Sequence, residues 1–346
     1  MAAYRLVSWQ QPPELVEVPV PEPDAEQVRV RVAGCGLCHS DGSMTAMPGE
    51  AGEAIGWRVP FTLGHETAGW VDAVGRDVSG VRVGDPVALA SPSSCGACRW
   101  CRRGQENACR AGLAGRGYGR DGGLAAHVLV EDPARSLLPL GPLDPASAGP
   151  LTDAGATSHH AVARVLPHLD ADSTAVVVGV GGLGTFALQL LLALSPARVV
   201  AVDPVASRRE LALALGAHHA LDGVDADTRR HLAAIMGTDP VDAVIDLVGT
   251  DHTIAFGTRA LAPGGAFALV GAAGGTLARP WFPGLPRDGE VFTFQGSDLA
   301  DARAVLALAA EGRIHVDVDP FPLDRVADAY AALEAGTLTG RAVVRP

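Results

Sequence analysis

The chain has 346 residues, of which 48% are apolar, and its formal net charge is −12. That length allows two domains with separate cores, and the negative charge argues against a protein that binds a nucleic-acid backbone. All basic residues other than histidine are arginine, since the chain contains no lysine, which excludes Schiff-base and phosphate-loop lysine chemistry. The N-terminus lacks the layout of a signal peptide, and the longest apolar run, at 186–194, is too short for a bilayer. We therefore expect a cytoplasmic protein with no membrane partner.

The first part of the chain, from about residue 4 to 150, reads as β-rich and irregular. Residues 28–32 alternate like a half-buried strand, and further short strands are predicted at 71–74 and 86–89, between glycine and proline residues. After about residue 173 the pattern changes to buried strands at 175–179, 198–203, 241–246 and 265–270. Helices are predicted between the first of these strands, at 183–195 and 208–215. This alternation predicts a doubly wound parallel sheet, followed beyond residue 294 by a helix–strand tail that ends at 341–345.

Three short segments combine residues that can bind a metal. They are Cys35-Gly-Leu-Cys38-His39-Ser40-Asp41, Gly64-His65-Glu66 and Pro150-Leu-Thr-Asp153-Ala-Gly-Ala-Thr157. Each segment alone is a weak signal, because a buried histidine is more often a core residue than a ligand. Cys35 and Cys38 could likewise be packed thiols.

Four cysteines form a stronger pattern, C-x-x-C-x-x-C-x7-C, at Cys95, Cys98, Cys101 and Cys109. Thiolates this close in sequence can surround one zinc ion. The alternatives are structural thiols or two disulfides, but such spacing in a cytosolic enzyme usually indicates a metal. An all-thiolate site has no open position for a substrate, so we expect it to stiffen a loop.

A glycine-rich loop follows the first strand of the predicted parallel sheet. It reads Gly179-Val-Gly181-Gly182-Leu183-Gly184. Between a strand and a helix, this pattern is typical of a dinucleotide site, where the helix N-terminus faces the pyrophosphate. Asp203 ends the next strand, where a carboxylate accepts the ribose hydroxyls and repels a 2′-phosphate, so NAD is favoured over NADP. The nearby Arg208 and Arg209 weaken this preference, and an ordinary glycine-rich turn is the alternative.

Together these segments resemble the zinc-dependent medium-chain alcohol dehydrogenases, and most of all bacterial secondary-alcohol dehydrogenases with an aspartate zinc ligand. The resemblance covers nearly the whole chain, and the motifs occur in family order. It implies an α/β protein with a GroES-like catalytic domain, residues 1–150 and 294–346. A Rossmann NAD-binding domain, residues 151–293, is inserted into it.

The resemblance also implies roles for individual residues. Cys38, His65 and Asp153 match the ligands of a catalytic zinc, and Glu66 matches a glutamate that can transiently approach it. The four clustered cysteines match the structural zinc, so two zinc ions per chain are expected. Ser40 matches the hydroxyl that begins the proton relay. The residues expected to contact the cofactor are His39 at the pyrophosphate, Thr157 near the nicotinamide, and Gly179, Gly181, Gly182, Leu183, Gly184, Asp203 and Arg208.

Some positions depart from the family pattern. Many members have cysteine where this chain has Asp153, and some have histidine in place of Ser43 as the outer relay member. Trp57 either contacts the substrate or packs within a surface loop. Gln295 stands where secondary-alcohol enzymes carry a bulky aromatic residue, so we expect a larger or more polar substrate than a simple 2-alkanol.

The expected activity is hydride transfer between NAD and an alcohol or carbonyl compound, in a homo-oligomer that is a tetramer more often than a dimer. Two alternatives stay open. One is a biosynthetic reductase of a conjugated alkene or imine, and the other is a zinc-independent quinone reductase or a binding protein.

Overall fold

The computed structural model describes residues 1–91, 93–236, 241–278 and 280–346. The chain forms two compact units, here called the catalytic unit (Met1–Ala156 with Gly296–Pro346) and the nucleotide unit (Thr157–Gln295). The predicted inserted domain began earlier, at 151, and ended at 293. The difference arises because the short 3-10 helix Gly149–Thr152 is buried and packs against strands of the catalytic unit.

The secondary structure follows in chain order. The strands are β1 (Ala2–Leu6), β2 (Glu14–Glu17), β3 (Val28–Gly36), β4 (Phe61–Thr62), β5 (Glu66–Val74), β6 (Pro86–Leu89), β7 (Gly115–Arg116), β8 (Gly119–Arg120), β9 (His127–Val130), β10 (Leu137–Pro139), β11 (Thr174–Val178), β12 (Arg198–Val202), β13 (His219–Leu221), β14 (Val241–Asp246), β15 (Leu261–Leu269), β16 (Glu290–Thr293), β17 (Val318–Pro322) and β18 (Arg341–Arg345). The α-helices are α1 (His39–Thr45), α2 (Gly49–Ala54), α3 (Pro133–Ser136), α4 (Pro145–Ala148), α5 (Ala154–Val165), α6 (Gly184–Leu194), α7 (Ala206–Ala214), α8 (Ala226–Met236), α9 (Asp251–Ala260), α10 (Trp281–Gly284), α11 (Leu299–Ala310) and α12 (Val326–Ala335). Short 3-10 helices lie at Cys101–Arg103, Glu106–Ala108, Arg110–Leu113, Gly149–Thr152, Leu166–His168 and Leu323–Arg325.

The catalytic unit is built around a seven-stranded sheet in the order β10-β6-β5-β3-β18-β17, with β9 also paired to β3. The C-terminal strand β18 runs antiparallel to β3, with Val343 opposite Gly36 and Val344 opposite Cys35. On the other side of β3, Gly36 lies opposite Glu66 of β5. The end of the chain is thereby brought beside the start of β5, where two of the expected site residues lie.

The nucleotide unit contains a six-stranded sheet in the order β13-β12-β11-β14-β15-β16. All of its neighbouring strands are parallel, and β11 lies between β12 and β14. This is the strand order of a doubly wound dinucleotide-binding sheet, with the crevice for the ligand at the carboxyl ends of the strands. The α/β fold predicted from the sequence is confirmed.

Each unit has its own apolar core. In the catalytic unit, Leu6, Val30, Leu63 and Val344 are among the fully buried core residues, and in the nucleotide unit Phe267 is one of them. Strand β11 is buried along its whole length, as expected for a parallel strand covered on both faces. Within the described ranges, no helix is both long enough and apolar enough to cross a bilayer.

Candidate functional site

Cys38 lies directly before helix α1, at its N-cap, where the backbone is extended. The backbone amide of Cys38 donates to Oδ2 of Asp41 over 3.1 Å. A carboxylate three residues after the N-cap satisfies an amide that would otherwise lack a partner at the start of the helix. Asp41 therefore fixes the turn that carries the Cys38 thiol.

His65 and Glu66 stand where strand β5 begins. Gly64 precedes them with φ +96°, and a Cβ atom there would lie 2.6 Å from the Cys35 sulfur. Only glycine fits this backbone conformation and this close approach. The Gly-His-Glu motif thus places both side chains against strand β3, and the buried Cys35 has the packing role assigned from the sequence.

Asp153 follows the 3-10 helix Gly149–Thr152 and precedes α5. Its Oδ2 lies 3.5 Å from Nε2 of His65, and its Oδ1 accepts a hydrogen bond of 3.3 Å from the hydroxyl of Ser91. The candidate ligand atoms of Cys38, His65, Glu66 and Asp153 all lie within 4.8 Å of one another. The structure therefore gathers side chains from three distant parts of the sequence.

The electrostatics of this cluster favour a cation. Burial alone would lower the pKa of His65, but the carboxylates of Asp41 and Asp153 outweigh it and raise that pKa well above its ordinary value. Burial raises the pKa of Asp153, yet the hydrogen bond and charge of His65 and the charge of Arg341 bring it below its usual value. The same field that favours a proton on the imidazole favours a positive metal ion beside it.

The donor set also fits zinc in its chemistry. One sulfur, one imidazole nitrogen and one carboxylate oxygen are accepted zinc ligands at about 2.0 to 2.3 Å. Nδ1 of His65 lies 3.3 Å from Oδ1 of Asp41, at ion-pair distance, and neither atom has a hydrogen-bond partner in the described part of the chain. A carboxylate at one ring nitrogen, with the other nitrogen facing the ligand cluster, is the usual arrangement around a metal-binding histidine.

Within this cluster, the carboxylate of Glu66 is paired with a buried arginine. The Arg341 guanidinium donates from one nitrogen to both Glu66 oxygens, at 2.6 and 2.7 Å, and to the carbonyl oxygen of Leu37 at 2.9 Å. Glu66 is fully buried and Arg341 is 6% exposed. With Glu66 engaged in this ion pair, three protein ligands remain, the number expected at a catalytic zinc with one open position.

Four residues near the cluster were not assigned a role from the sequence. They are Asp41, Ser91, Tyr330 and Arg341. Asp41 had a usable signal, because a carboxylate three residues after Cys38 is the capping position of a helix. The other three had none, since their partners lie 62, 289 and 275 positions away along the chain.

The remaining expected residues of the catalytic unit lie in several environments. Ser40 is partly buried in the first turn of α1, whereas His39 and Ser43 are exposed. Trp57 is 4% exposed, donates from Nε1 to the carbonyl oxygen of Leu113 over 2.6 Å, and packs against Phe61 and Tyr118. The packed alternative for Trp57 is therefore the one observed.

The four clustered cysteines bring their sulfur atoms together. The Cys98–Cys101, Cys95–Cys109 and Cys95–Cys101 sulfurs are 3.5, 3.6 and 3.9 Å apart. Four sulfurs about 2.3 Å from a shared zinc lie roughly 3.8 Å from one another, whereas a disulfide requires about 2.05 Å. All six cysteines are free thiols, so the geometry fits a tetrahedral thiolate site and excludes the disulfide alternative.

Hydrogen bonds from backbone amides lower the pKa of two of these thiols. The N–H groups of Ala97 and Cys98 lower the pKa of Cys95 to about 6, and that of Cys101 lowers the pKa of Cys98. Burial raises the pKa of Cys101 to about 12. Because a coordinating thiol must lose its proton, the two exposed cysteines supply thiolates readily.

In the nucleotide unit, the glycine loop joins β11 to α6. Gly179 has φ +89°, and a Cβ at Gly184 would lie 1.9 Å from the Gly179 carbonyl oxygen, so the helix packs tightly on the strand. A Cβ at Gly181 would meet no atom within 4 Å, so the backbone is open there. Gly182 and Leu183 complete the loop and are partly buried. The loop has the shape that approach of a pyrophosphate requires.

Asp203 follows β12 and organises this loop. Its two carboxylate oxygens accept hydrogen bonds of 2.8 Å from the amides of Val180 and Val205, and the residue is 2% exposed. Arg208 lies 3.9 Å from Oδ2 of Asp203, and Arg209 donates to the Asp203 carbonyl oxygen over 2.8 Å. Both arginines thus face the aspartate that was expected to select the cofactor.

The last expected residues of this unit lie at its two ends. Thr157, the first residue of the unit, is 8% exposed within α5. Gln295, the last, is exposed, while the neighbouring Phe294 packs against Phe292 and His160.

Comparison with known families matches both parts of the chain. Residues 24–142 match the alcohol dehydrogenase GroES-like domain, and residues 182–311 match the zinc-binding dehydrogenase family. A NAD-dependent alcohol dehydrogenase of Sulfurisphaera tokodaii is 34% identical, with all of both chains covered. A D-arabinose 1-dehydrogenase (NADP(+)) of Saccharolobus solfataricus is 32% identical, over 99% of this chain and 97% of that protein.

Solved structures agree with these matches. The alcohol dehydrogenase of the archaeon Aeropyrum pernix superposes with a TM-score of 0.90 at 31% identity, and all of both chains is covered. The chain belongs to the zinc-dependent medium-chain alcohol dehydrogenase family and is an oxidoreductase of that family.

Proposed function

We propose that this protein transfers a hydride between NAD(H) and an alcohol–carbonyl pair, either a secondary alcohol and its ketone or a primary alcohol and its aldehyde, with one catalytic and one structural zinc per chain. The convergence of Cys38, His65 and Asp153, with their ligand atoms within 4.8 Å of one another, carries this proposal. The NAD-dependent relatives support it.

Each side chain around the site has a defined task. A zinc ion held by these three ligands supplies Lewis acidity at the substrate oxygen. Asp41 orients the imidazole of His65, and Ser91 orients the carboxylate of Asp153. Arg341 retains Glu66 in an ion pair and so leaves room for the substrate oxygen. The hydride chemistry itself belongs to the nicotinamide.

Ser40 is proposed as the first member of the proton relay, in which Oγ accepts the proton of the substrate hydroxyl as its own proton passes on towards solvent. Replacing Ser40 with alanine should therefore lower kcat by roughly two to four orders of magnitude, the usual effect of removing a positioned proton-transfer group. Steady-state alcohol oxidation measures this effect. The exposed Ser43 is the matched control, and Ser43→Ala should leave kcat within about twofold of the parent. Near-normal turnover of the Ser40→Ala protein with its full zinc content would contradict the relay role.

NAD is proposed as the preferred cofactor because Asp203 places a buried carboxylate at the end of β12. In Asp203→Asn, an amide N–H faces the backbone N–H of Val180 or Val205, and the charge that repels a 2′-phosphate is lost. We expect kcat/KM for NAD to fall about tenfold or more, and the NAD-to-NADP ratio to fall with it. Arg208→Ala should change the ratio in the opposite direction, because it removes a positive charge near the same carboxylate. A ratio unchanged in both variants would show that Asp203 does not select the cofactor.

The proposed activity is tested by measuring zinc content together with NAD-linked oxidation of a panel of secondary alcohols and aldoses. Two zinc ions per chain and NADH formation are expected. Reduction of a conjugated alkene or imine without alcohol oxidation would favour the biosynthetic reductase instead. Activity on quinones in a protein with only the structural zinc would favour the zinc-independent alternative.

Two further properties are proposed from the sequence. Thiolate zinc sites need a reducing compartment, which supports a cytoplasmic location. A homo-oligomer, with a tetramer favoured over a dimer, is the expectation from the family resemblance. Light scattering on the purified protein measures the subunit number.

A further inference from the structure

Tyr330, on a helix near the end of the chain, contacts Asp41 beside the metal-ligand cluster. It lies on α12, and its hydroxyl donates to Oδ2 of Asp41 over 2.9 Å. Its ring stacks on that of Tyr4, with centroids 5.9 Å apart. Burial and the charge of Asp41 raise the pKa of Tyr330 well above its ordinary value, so the hydroxyl keeps its proton and remains a donor.

The Asp41 carboxylate distributes its contacts unequally. Oδ2 accepts from two donors, the Cys38 amide and the Tyr330 hydroxyl, while Oδ1 faces Nδ1 of His65 at 3.3 Å. Asp41 is 1% exposed, so water does not compensate for a lost donor there. Its contacts also join two of the proposed ligands, Cys38 through the backbone and His65 through the ring.

Of the two donors to Oδ2, only Tyr330 comes from outside the turn that Asp41 itself belongs to. Without its hydroxyl, one amide of the same helical turn would hold Oδ2. The carboxylate would then be free to rotate about its χ2 bond, and Oδ1 would leave Nδ1 of His65. A histidine ligand whose second nitrogen loses its partner is no longer oriented for the metal.

We propose that Tyr330 is a positioning residue for the catalytic metal, acting through Asp41 on His65. This inference rests on the proposed function, because it requires a metal at Cys38, His65 and Asp153. It assigns to α12 a function in metal retention, in addition to its packing in the core of the catalytic unit. The four-cysteine site has no residue in common with this network, so the effect is specific to one of the two metals.

The test is the rate of zinc release from the purified protein into excess pyridine-2,6-dicarboxylate. Two phases are expected in the parent, and the phase that is missing in Asp153→Ala belongs to the three-ligand site. In Tyr330→Phe that phase should become about three- to tenfold faster. Loss of a residue that contacts a metal ligand directly usually lowers metal affinity by about 10- to 100-fold, and a smaller effect is expected here because Tyr330 acts through Asp41. The second phase, from the cysteine site, should keep its rate and so reports that the protein remains folded.

The matched control is Tyr4→Phe, which removes a hydroxyl from the other ring of the same stack without touching Asp41. Both phases should keep their parent rates in this variant. A cobalt-substituted protein provides a spectroscopic readout, because the visible bands of cobalt bound by a thiolate and an imidazole respond to ligand orientation. These bands should change in Tyr330→Phe and not in Tyr4→Phe.

The outcomes separate the two proposals. If the parent protein holds only the zinc of the cysteine site, the proposed function and the positioning role of Tyr330 are both overturned, because that role requires a metal at Cys38, His65 and Asp153. If the parent holds two, but Tyr330→Phe matches Tyr4→Phe in both release phases and in the cobalt spectrum, only the positioning role of Tyr330 is overturned.

Discussion

Replacing Asp153 with alanine should lower the zinc content from two ions per chain to one and reduce alcohol oxidation by roughly three orders of magnitude or more. The reason is that two ligands, Cys38 and His65, would remain where three are needed, and Glu66 is occupied by Arg341. The lost carboxylate is also part of the field that favours a cation beside His65. Metal analysis of the dialysed protein measures the first effect and steady-state kinetics the second.

Two variants at the same position serve as controls. Asp153→Cys restores a thiolate of the same charge, the ligand that many family members carry, and should retain two zinc ions and measurable turnover. Asp153→Asn keeps the side-chain shape and the oxygen that faces Ser91 but removes the charge, and should hold the second ion weakly. Two zinc ions per chain in Asp153→Ala would refute the ligand assignment.

The four-cysteine site and the glycine loop could be predicted from the spacing of residues within a short segment. The four-cysteine site lies within 15 residues of chain, and the glycine loop within six, so pattern alone indicates both. The strand predictions at 86–89, 241–246 and 341–345 agree with β6, β14 and β18. Short segments rich in β-branched and apolar residues, bounded by glycine, proline or charged residues, indicate such strands.

The candidate metal-ligand cluster could not be derived from spacing. Cys38, His65 and Asp153 lie far apart in sequence, and only the resemblance to a family joined them. Their proximity depends on the pairing of β3 with β5 and on the buried turn before Asp153. Tertiary pairing of this kind leaves no local signature.

Nothing in the sequence indicated that Arg341, near the C-terminus, pairs with Glu66. Arg341 begins the last strand, and an arginine in that position reads as an ordinary surface residue. It reaches Glu66 because β18 pairs with β3, and β3 pairs in turn with β5. Trp57 is a different case, because the sequence left substrate contact and packing as alternatives, and the structure shows the side chain packed against Phe61 and Tyr118.

The buried ion pair of Glu66 and Arg341 leads to the second large effect. Arg341→Met should lower the free energy of unfolding by about 3–5 kcal/mol, because the methionine leaves the Glu66 carboxylate buried without its counter-charge. The carbonyl oxygen of Leu37 loses its donor as well. Urea denaturation followed by circular dichroism measures the loss. The exposed pair of Arg325 and Asp328 is the matched control, and Arg325→Met should cost less than about 1 kcal/mol.

A double variant distinguishes the loss of the pair from the loss of arginine packing. In Glu66→Gln with Arg341→Met no charge is left unpaired, so the double variant should regain a large part of the stability that Arg341→Met loses. If packing of the arginine chain dominated instead, the double variant would be at least as unstable as Arg341→Met. The comparison has a bearing on the proposed function, because Glu66 lies in the ligand cluster and its carboxylate is paired with Arg341. If the double variant is as stable as the parent, the fold does not require the ion pair of Glu66 and Arg341. The buried charges of these two residues would then be explained by their position at the ligand cluster.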